Sequence, residues 1–143
     1  LVEKADISAC IFAYESLGTY DLPPELTERL SLLVKKLNGL KRTLEFHPER
    51  KGETERFLSY YIPEGVRLAL SYYEQQSVDL PEKTVQTLYA KIKDSIDTLD
   101  AAVEQKILSI YQFETMDTAA KADALRQILE QDGYFKANQI LTC

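Results

Sequence analysis

Residues 57–74 read FLSYYIPEGVRLALSYYE, and the spacing of their apolar side chains decides the fold. On a helical wheel, Phe57, Leu58, Tyr61, Ile62, Val66, Leu68, Ala69, Leu70, Tyr72 and Tyr73 spread over roughly 220°, against the ~100° stripe of an ordinary surface helix. Only Arg56, Tyr60, Glu64, Arg67, Ser71 and Glu74 remain for a narrow polar seam. A helix apolar over so wide an arc needs neighbours on several sides. The stretch therefore predicts a central helix over 53–76, with the tyrosine pairs 60/61 and 72/73 mostly in the core. Pro63 falls inside it. Proline removes one backbone hydrogen bond and crowds the preceding turn, so a kink between Ser59 and Pro63 is expected.

Working upstream, the clearest periodicity is Leu26, Leu30, Leu33, Leu37, Leu40 and Leu44, which alternate steps of four and three. That is the seam of coiled-coil-like bundle packing. Gly39 within it weakens the helix by about 1 kcal/mol relative to alanine and suggests a close neighbour. His47-Pro48 closes this helix, since a residue before proline is steered away from helical dihedrals. Further back, Ile7, Cys10, Ile11, Tyr14 and Leu17 predict a short helix over 4–17, and Asp21-Leu22-Pro23-Pro24 predicts the turn after it.

Downstream, Asp79-Leu80-Pro81-Glu82 repeats that turn chemistry, and Val85, Leu88, Ile92, Ile96, Leu99, Val103, Ile107 and Ile110 continue at helical spacing. Asp94, Asp97, Asp100 and Glu104 lie on this helix and read as a solvated acidic face. A separate last helix is expected from a cap at Thr115 or Asp117 to a stop at Gly133, with Ala122, Leu125, Ile128 and Leu129 inward. Nothing alternates at the period of a strand. The expectation is an all-α fold: one antiparallel bundle over 1–143, of four main helices plus a shorter N-terminal one.

Composition narrows the function. The 143 residues carry a net charge of −6, which argues against general nucleic-acid binding, although 35–67 hold eight basic residues against five acidic ones. No window reaches the ~18 apolar residues of a membrane span. Cys10 and Cys143 form neither a disulfide framework nor a CxxC motif, so a reducing, cytoplasmic setting is the default. The chain opens at Leu1 and its one methionine is Met116, which reads as a fragment whose upstream segment is a candidate membrane anchor.

The chemistry is sparse. The single histidine, His47, precludes a histidine-rich zinc site or the ExxH pairs of a di-iron bundle. Phosphate-cradling glycine motifs and a GxSxG elbow are missing, and neither cysteine opens a phosphatase loop. No metal, cofactor or catalytic residue is assigned. One constellation remains: Arg56, Tyr60 and Arg67 fall within roughly 40° of each other on a straight central helix. Two guanidiniums flanking a phenol suit a phosphate, a carboxylate or an acidic partner. The bland reading pairs them with Glu53 and Glu64 on the same seam.

Phe57-Leu58-Ser59-Tyr60-Tyr61-Ile62-Pro63, followed by Leu68, Leu70 and Tyr73, resembles the 5-bromo-4-chloroindolyl phosphate hydrolysis protein family of bacteria, whose pattern there is close to FLNYYLPTxxxLLxxY. His47-Pro48-Glu49 upstream and ILEQDGY at 128–134 also fit, so the resemblance spans about residues 26–134. It departs at Glu64-Gly65, where the family more often has small hydroxylated residues, and the first 25 residues do not share it. The resemblance implies a helical bacterial domain, some relatives being membrane-anchored and associated with toxic-anion (tellurite) resistance proteins. It carries a hydrolysis trait without a catalytic motif to place on these residues. Two functions follow as expectations. One is a helical interaction module of a bacterial stress or toxic-anion resistance system, its partner another protein. The alternative is a phosphomonoester hydrolase acting on indolyl phosphate-type substrates through Arg56 and Arg67.

Overall fold

The computed structural model describes residues 6–135, so Cys143 and most of the tail lie outside the described residues. The fold is all-α, with no strand among those residues. Its helices are α1 (Ile7–Ser16), α2 (Pro24–Phe46), α3 (Ile62–Ser77) and α4 (Glu82–Gln131). Short 3-10 segments cover Leu17–Thr19 and Pro48–Thr54, and a π turn covers Phe57–Tyr61. The chain divides into two compact units, Leu1–Ile107 and Leu108–Cys143, with α4 contributing to each. No helix among the described residues is long and apolar enough to cross a membrane.

In the first unit each helix starts and stops for a local reason. Asp6 caps α1, its carboxylate accepting from the Ser8 amide at 2.9 Å. Pro23 is extended, and Pro24 opens α2 where a missing N–H costs nothing. α2 ends at His47, whose φ of −128° and ψ of 63° leave the helical region, as the proline after it requires. The leucine seam behaves as its spacing predicts: Leu26, Leu30, Leu33, Leu37, Leu40 and Leu44 are all buried, with Thr43 beside them.

Burial corrects the place given to residues 53–76. Leu58, Ile62, Gly65, Ala69 and Tyr72 are buried, a single stripe rather than a broad arc, and α2 is the more deeply enclosed helix. Val66, Leu68, Leu70 and Tyr73 remain partly exposed, while Tyr60 and Tyr61 are 54% and 44% exposed. Small residues on the packing face explain this. Gly65 and Ala69 let neighbouring elements come close, which leaves the larger side chains on the rim.

At Pro63 the backbone widens into the π turn, where the Ile62 amide donates to the Phe57 carbonyl five residues back. Proline offers no N–H to Ser59 and its ring crowds that carbonyl, and the widened turn accommodates both. Residues before Pro63 therefore leave the phase of a straight helix through Ile62–Ser77.

Two sets of contacts show helix directions. Cys10 Sγ donates to the Leu58 carbonyl, and the Tyr14 hydroxyl to that of Ile62, a constant offset of 48 residues that makes α1 run parallel to the Leu58–Ile62 segment. Between α2 and α4, Lys93 meets Glu25 at 3.0 Å, Arg29 meets Asp97 at 2.8 Å and Lys36 meets Glu104 at 2.7 Å, all offset by 68. Those two helices also run the same way. Asp97, Asp100 and Glu104 are therefore a clasp onto α2 rather than a merely solvated face.

α4 corrects a second expectation. No cap interrupts it at Thr115 or Asp117, and it runs unbroken for 50 residues. The sequence 111–122 contains neither glycine nor proline, and Asp117 pairs along the helix with Lys121 at 2.8 Å. Gly133 does supply the stop, at φ 84°, with the Tyr134 amide reaching the Leu129 carbonyl at 3.1 Å. In the second unit Ala122, Leu125 and Ile128, expected inward, are exposed, and Leu129 is half-buried.

Candidate interaction surface

The π turn decides which side chains of the Arg56–Arg67 stretch gather. Widening at Phe57–Tyr61 leaves Tyr60 and Tyr61 outside, with ring centroids 5.2 Å apart and planes at 77°, edge to face. The Arg56 guanidinium lies over both rings, 6.0 Å from the Tyr60 centroid and 5.6 Å from that of Tyr61. Phe57 extends the cluster, its ring 6.5 Å from Tyr61. Tyr60 and Tyr61 also line a shallow depression of about 230 Å³ with Glu64, Leu68, Thr98 and Leu99.

Arg56 and Tyr60 are thus brought together, and Arg67 is not brought to them. Its Nε donates to Glu64 Oε1 at 2.7 Å, an exposed pair one turn apart. Arg56 and Arg67 are eleven residues apart in one helical track, about 16 Å along its axis. Wheel angle puts two residues on one face and says nothing about separation along it. Of the two acids thought to neutralise these arginines, Glu64 does so, whereas Glu53 is taken by Arg50, with Nη2 to Oε1 at 2.9 Å. Hydrogen bonding to Arg50 also holds the Glu53 carboxyl below its ordinary pKa.

Tyr61 is the surface residue that the apolar wheel assigned to the interior. Pro63 was the available signal, because a widened turn is where a helix accommodates a proline, and the widening shifts the phase of everything before it. Tyr72 is buried and stacks on Tyr89 at 5.2 Å, so only the second tyrosine pair reaches the core, and Tyr73 does so partly.

Other chemistry in the first unit is subdued. A larger cleft, about 640 Å³, is lined by Asp6, Lys41, Glu45, Lys51, Glu55 and Leu58 among others. Its two ammoniums face three carboxylates, so its charge favours no single ligand class. Cys10 is a buried free thiol, and burial raises its pKa, the opposite of what a nucleophile needs. His47 occupies the C-terminal cap of α2 with Nδ1 3.5 Å from Glu49. Among the described residues no group of three or more histidine, cysteine or acidic side chains is placed to hold a metal ion. The chain matches no protein-family model, no curated protein and no solved structure.

Proposed function

We propose that this chain is a helical protein–protein interaction module, and that Arg56, Tyr60 and Tyr61 are the anchors of its binding surface. The observation that carries the reading is the exposure of two adjacent tyrosines beneath one guanidinium, on a helical scaffold. Tyrosine and arginine are enriched among the residues that dominate binding energy, because they offer large contact area with few rotors. The family resemblance is what supports a bacterial stress or toxic-anion resistance system as the setting of this module. The buried free thiol of Cys10 supports a reducing, cytoplasmic setting. For the scaffold, the reading is an antiparallel succession of helices with a bend at Pro63. The offsets shared by α1 with Leu58–Ile62, and by α2 with α4, support it, as does the π turn.

The hydrolase alternative requires Arg56 and Arg67 to hold one phosphate. Phosphomonoester hydrolysis is among the slowest uncatalysed reactions, and enzymes meet it with a nucleophile, metals and preorganised donors together. Arg67 is engaged by Glu64 and stands three turns from Arg56, which favours the interaction reading. The test is affinity capture from a bacterial lysate with wild type and a Tyr60→Ala/Tyr61→Ala variant, beside turnover of nitrophenyl phosphate with and without divalent metals. The expected result is partners retained by wild type and lost by the folded variant, with no turnover. Robust hydrolysis that an Arg56→Ala/Arg67→Ala variant abolishes would replace this reading with the enzyme.

A further inference from the structure

Pro63 leaves one backbone carbonyl without a helical donor, and the register of the preceding turn decides which one. In a regular helix the donor is the amide four residues on, and in a π turn the amide five residues on. With regular geometry the bare carbonyl would be that of Ser59, an exposed residue that water can serve. In the π turn it is that of Leu58, because the Ile62 amide has moved to Phe57 and Pro63 has no N–H. Leu58 is 4% exposed, and its carbonyl instead accepts from the Cys10 thiol at 3.3 Å, in a buried contact. One turn further along α1, the Tyr14 hydroxyl donates to the Ile62 carbonyl and holds the far end of the same segment.

We propose that α1 sets the register of the π turn: the Cys10 thiol stands in for the amide that Pro63 lacks, so Tyr60 and Tyr61 are displayed only while α1 is docked. A buried carbonyl left without a partner costs more than a typical hydrogen bond contributes. Without the thiol, the widened turn therefore loses its advantage over a regular one. Cys10 is a positioning residue, one that touches neither exposed ring and governs both through the backbone between them. That the displayed rings bind a partner rests on the proposed function, whereas the coupling of Cys10 to Pro63 does not.

The full chain, kept reduced, is tested by urea denaturation in a double-mutant cycle of Cys10→Ala and Pro63→Ala. With Pro63 present, Cys10→Ala should raise the unfolding constant by about tenfold. With Pro63→Ala, whose restored amide can reach the Leu58 carbonyl, the same change should cost about threefold or less. Packing lost with the sulfur is common to both backgrounds and cancels. The Tyr60 and Tyr61 ring resonances, read by NMR, should shift in Cys10→Ala and return towards wild type when Pro63→Ala is added. A Cys10→Ala chain that folds only when Pro63→Ala is added reports the same coupling. Equal losses in both backgrounds, or failure to fold in both, would show that Cys10 only fills space and overturn the proposal. Rings that keep their wild-type resonances in Cys10→Ala overturn it too, since the thiol would then not govern the surface.

Discussion

The Tyr14 hydroxyl of α1 occupies the space that a side chain on Gly65 of α3 would need, and donates there to the Ile62 carbonyl. A Cβ built at Gly65 would fall far inside van der Waals contact of that oxygen and 2.6 Å from Leu99 Cδ1. Both neighbours belong to packed elements, and Tyr14 is held by its hydrogen bond. Gly65→Ala should therefore destabilise the protein by about 1–3 kcal/mol, the usual cost of overpacking. Gly39 is the control. Its Cβ would meet only Ile107 Cδ1 at 3.5 Å, an ordinary contact, so Gly39→Ala should stabilise by about 0.5–1 kcal/mol through helix propensity alone. Urea denaturation of the two variants should move the midpoint in opposite directions.

Tyr14 also sets an alkaline limit. Burial raises its phenol pKa well above the ordinary value, and burial raises the Cys10 thiol beside it. Both groups are neutral when protonated, so the folded state holds these protons more tightly than the unfolded chain does. Their contribution is intact below the unfolded pKa values, about 8.5 for cysteine and about 10 for tyrosine, and is lost as pH rises beyond each. Tyr14→Phe should cost about 1 kcal/mol near neutrality for the lost hydrogen bond. It should also flatten the decline above about pH 10. Thermal melts of wild type and Tyr14→Phe across alkaline pH test both, and parallel curves would show that Tyr14 is not the group responsible.

The α2–α4 clasp predicts the acid limb. Its hydrogen bond with Lys93 lowers the Glu25 pKa, so Glu25 favours the folded state above the unfolded glutamate pKa of about 4.3. That contribution disappears as pH falls through the lower folded value. Glu25→Gln should shrink the stability difference between neutral and acid pH while leaving the acid end nearly unchanged. High salt should mimic the substitution, because the pair is exposed and screened. A wild-type acid limb unaffected by Glu25→Gln would remove the pair from the account.

How much of this the sequence carries depends on whether the deciding interaction is local. The leucines of α2 could be placed because a seven-residue repeat has one good solution, and Gly133 because a left-handed residue ends a helix by itself. The burial of α3 could not be placed the same way, since a wheel counts apolar side chains and not how closely Gly65 lets a neighbour approach. Thr115 and Asp117 are good caps only where the chain has another reason to stop, and between Tyr111 and Ala122 it has none. At the candidate surface, Arg56 and Tyr60 adjoin as their spacing indicates. Tyr61 escaped because the π turn changes the phase of the helix, and Arg67 because Glu64 is nearer than Arg56.

Pro63 raises the question of whether it causes the π turn or merely fits one held by packing. Pro63→Ala returns an amide that could donate to Ser59 and close the segment into a regular helix, a gain of about 1 kcal/mol for one hydrogen bond. Closing the turn would rotate the preceding residues by about 100° and carry Leu58 out of the core, where it is only 4% exposed. Exposing a buried leucine costs about 1.5–3 kcal/mol, so packing wins. The expected outcome is a π turn that persists at Phe57–Tyr61 in the Pro63→Ala variant, with Tyr60 and Tyr61 still outside and stability changed by less than about 1 kcal/mol. A crystal structure of the variant decides it. A regular α-helix through the segment, with the Tyr61 ring turned inward, would mean that the proline alone builds this surface.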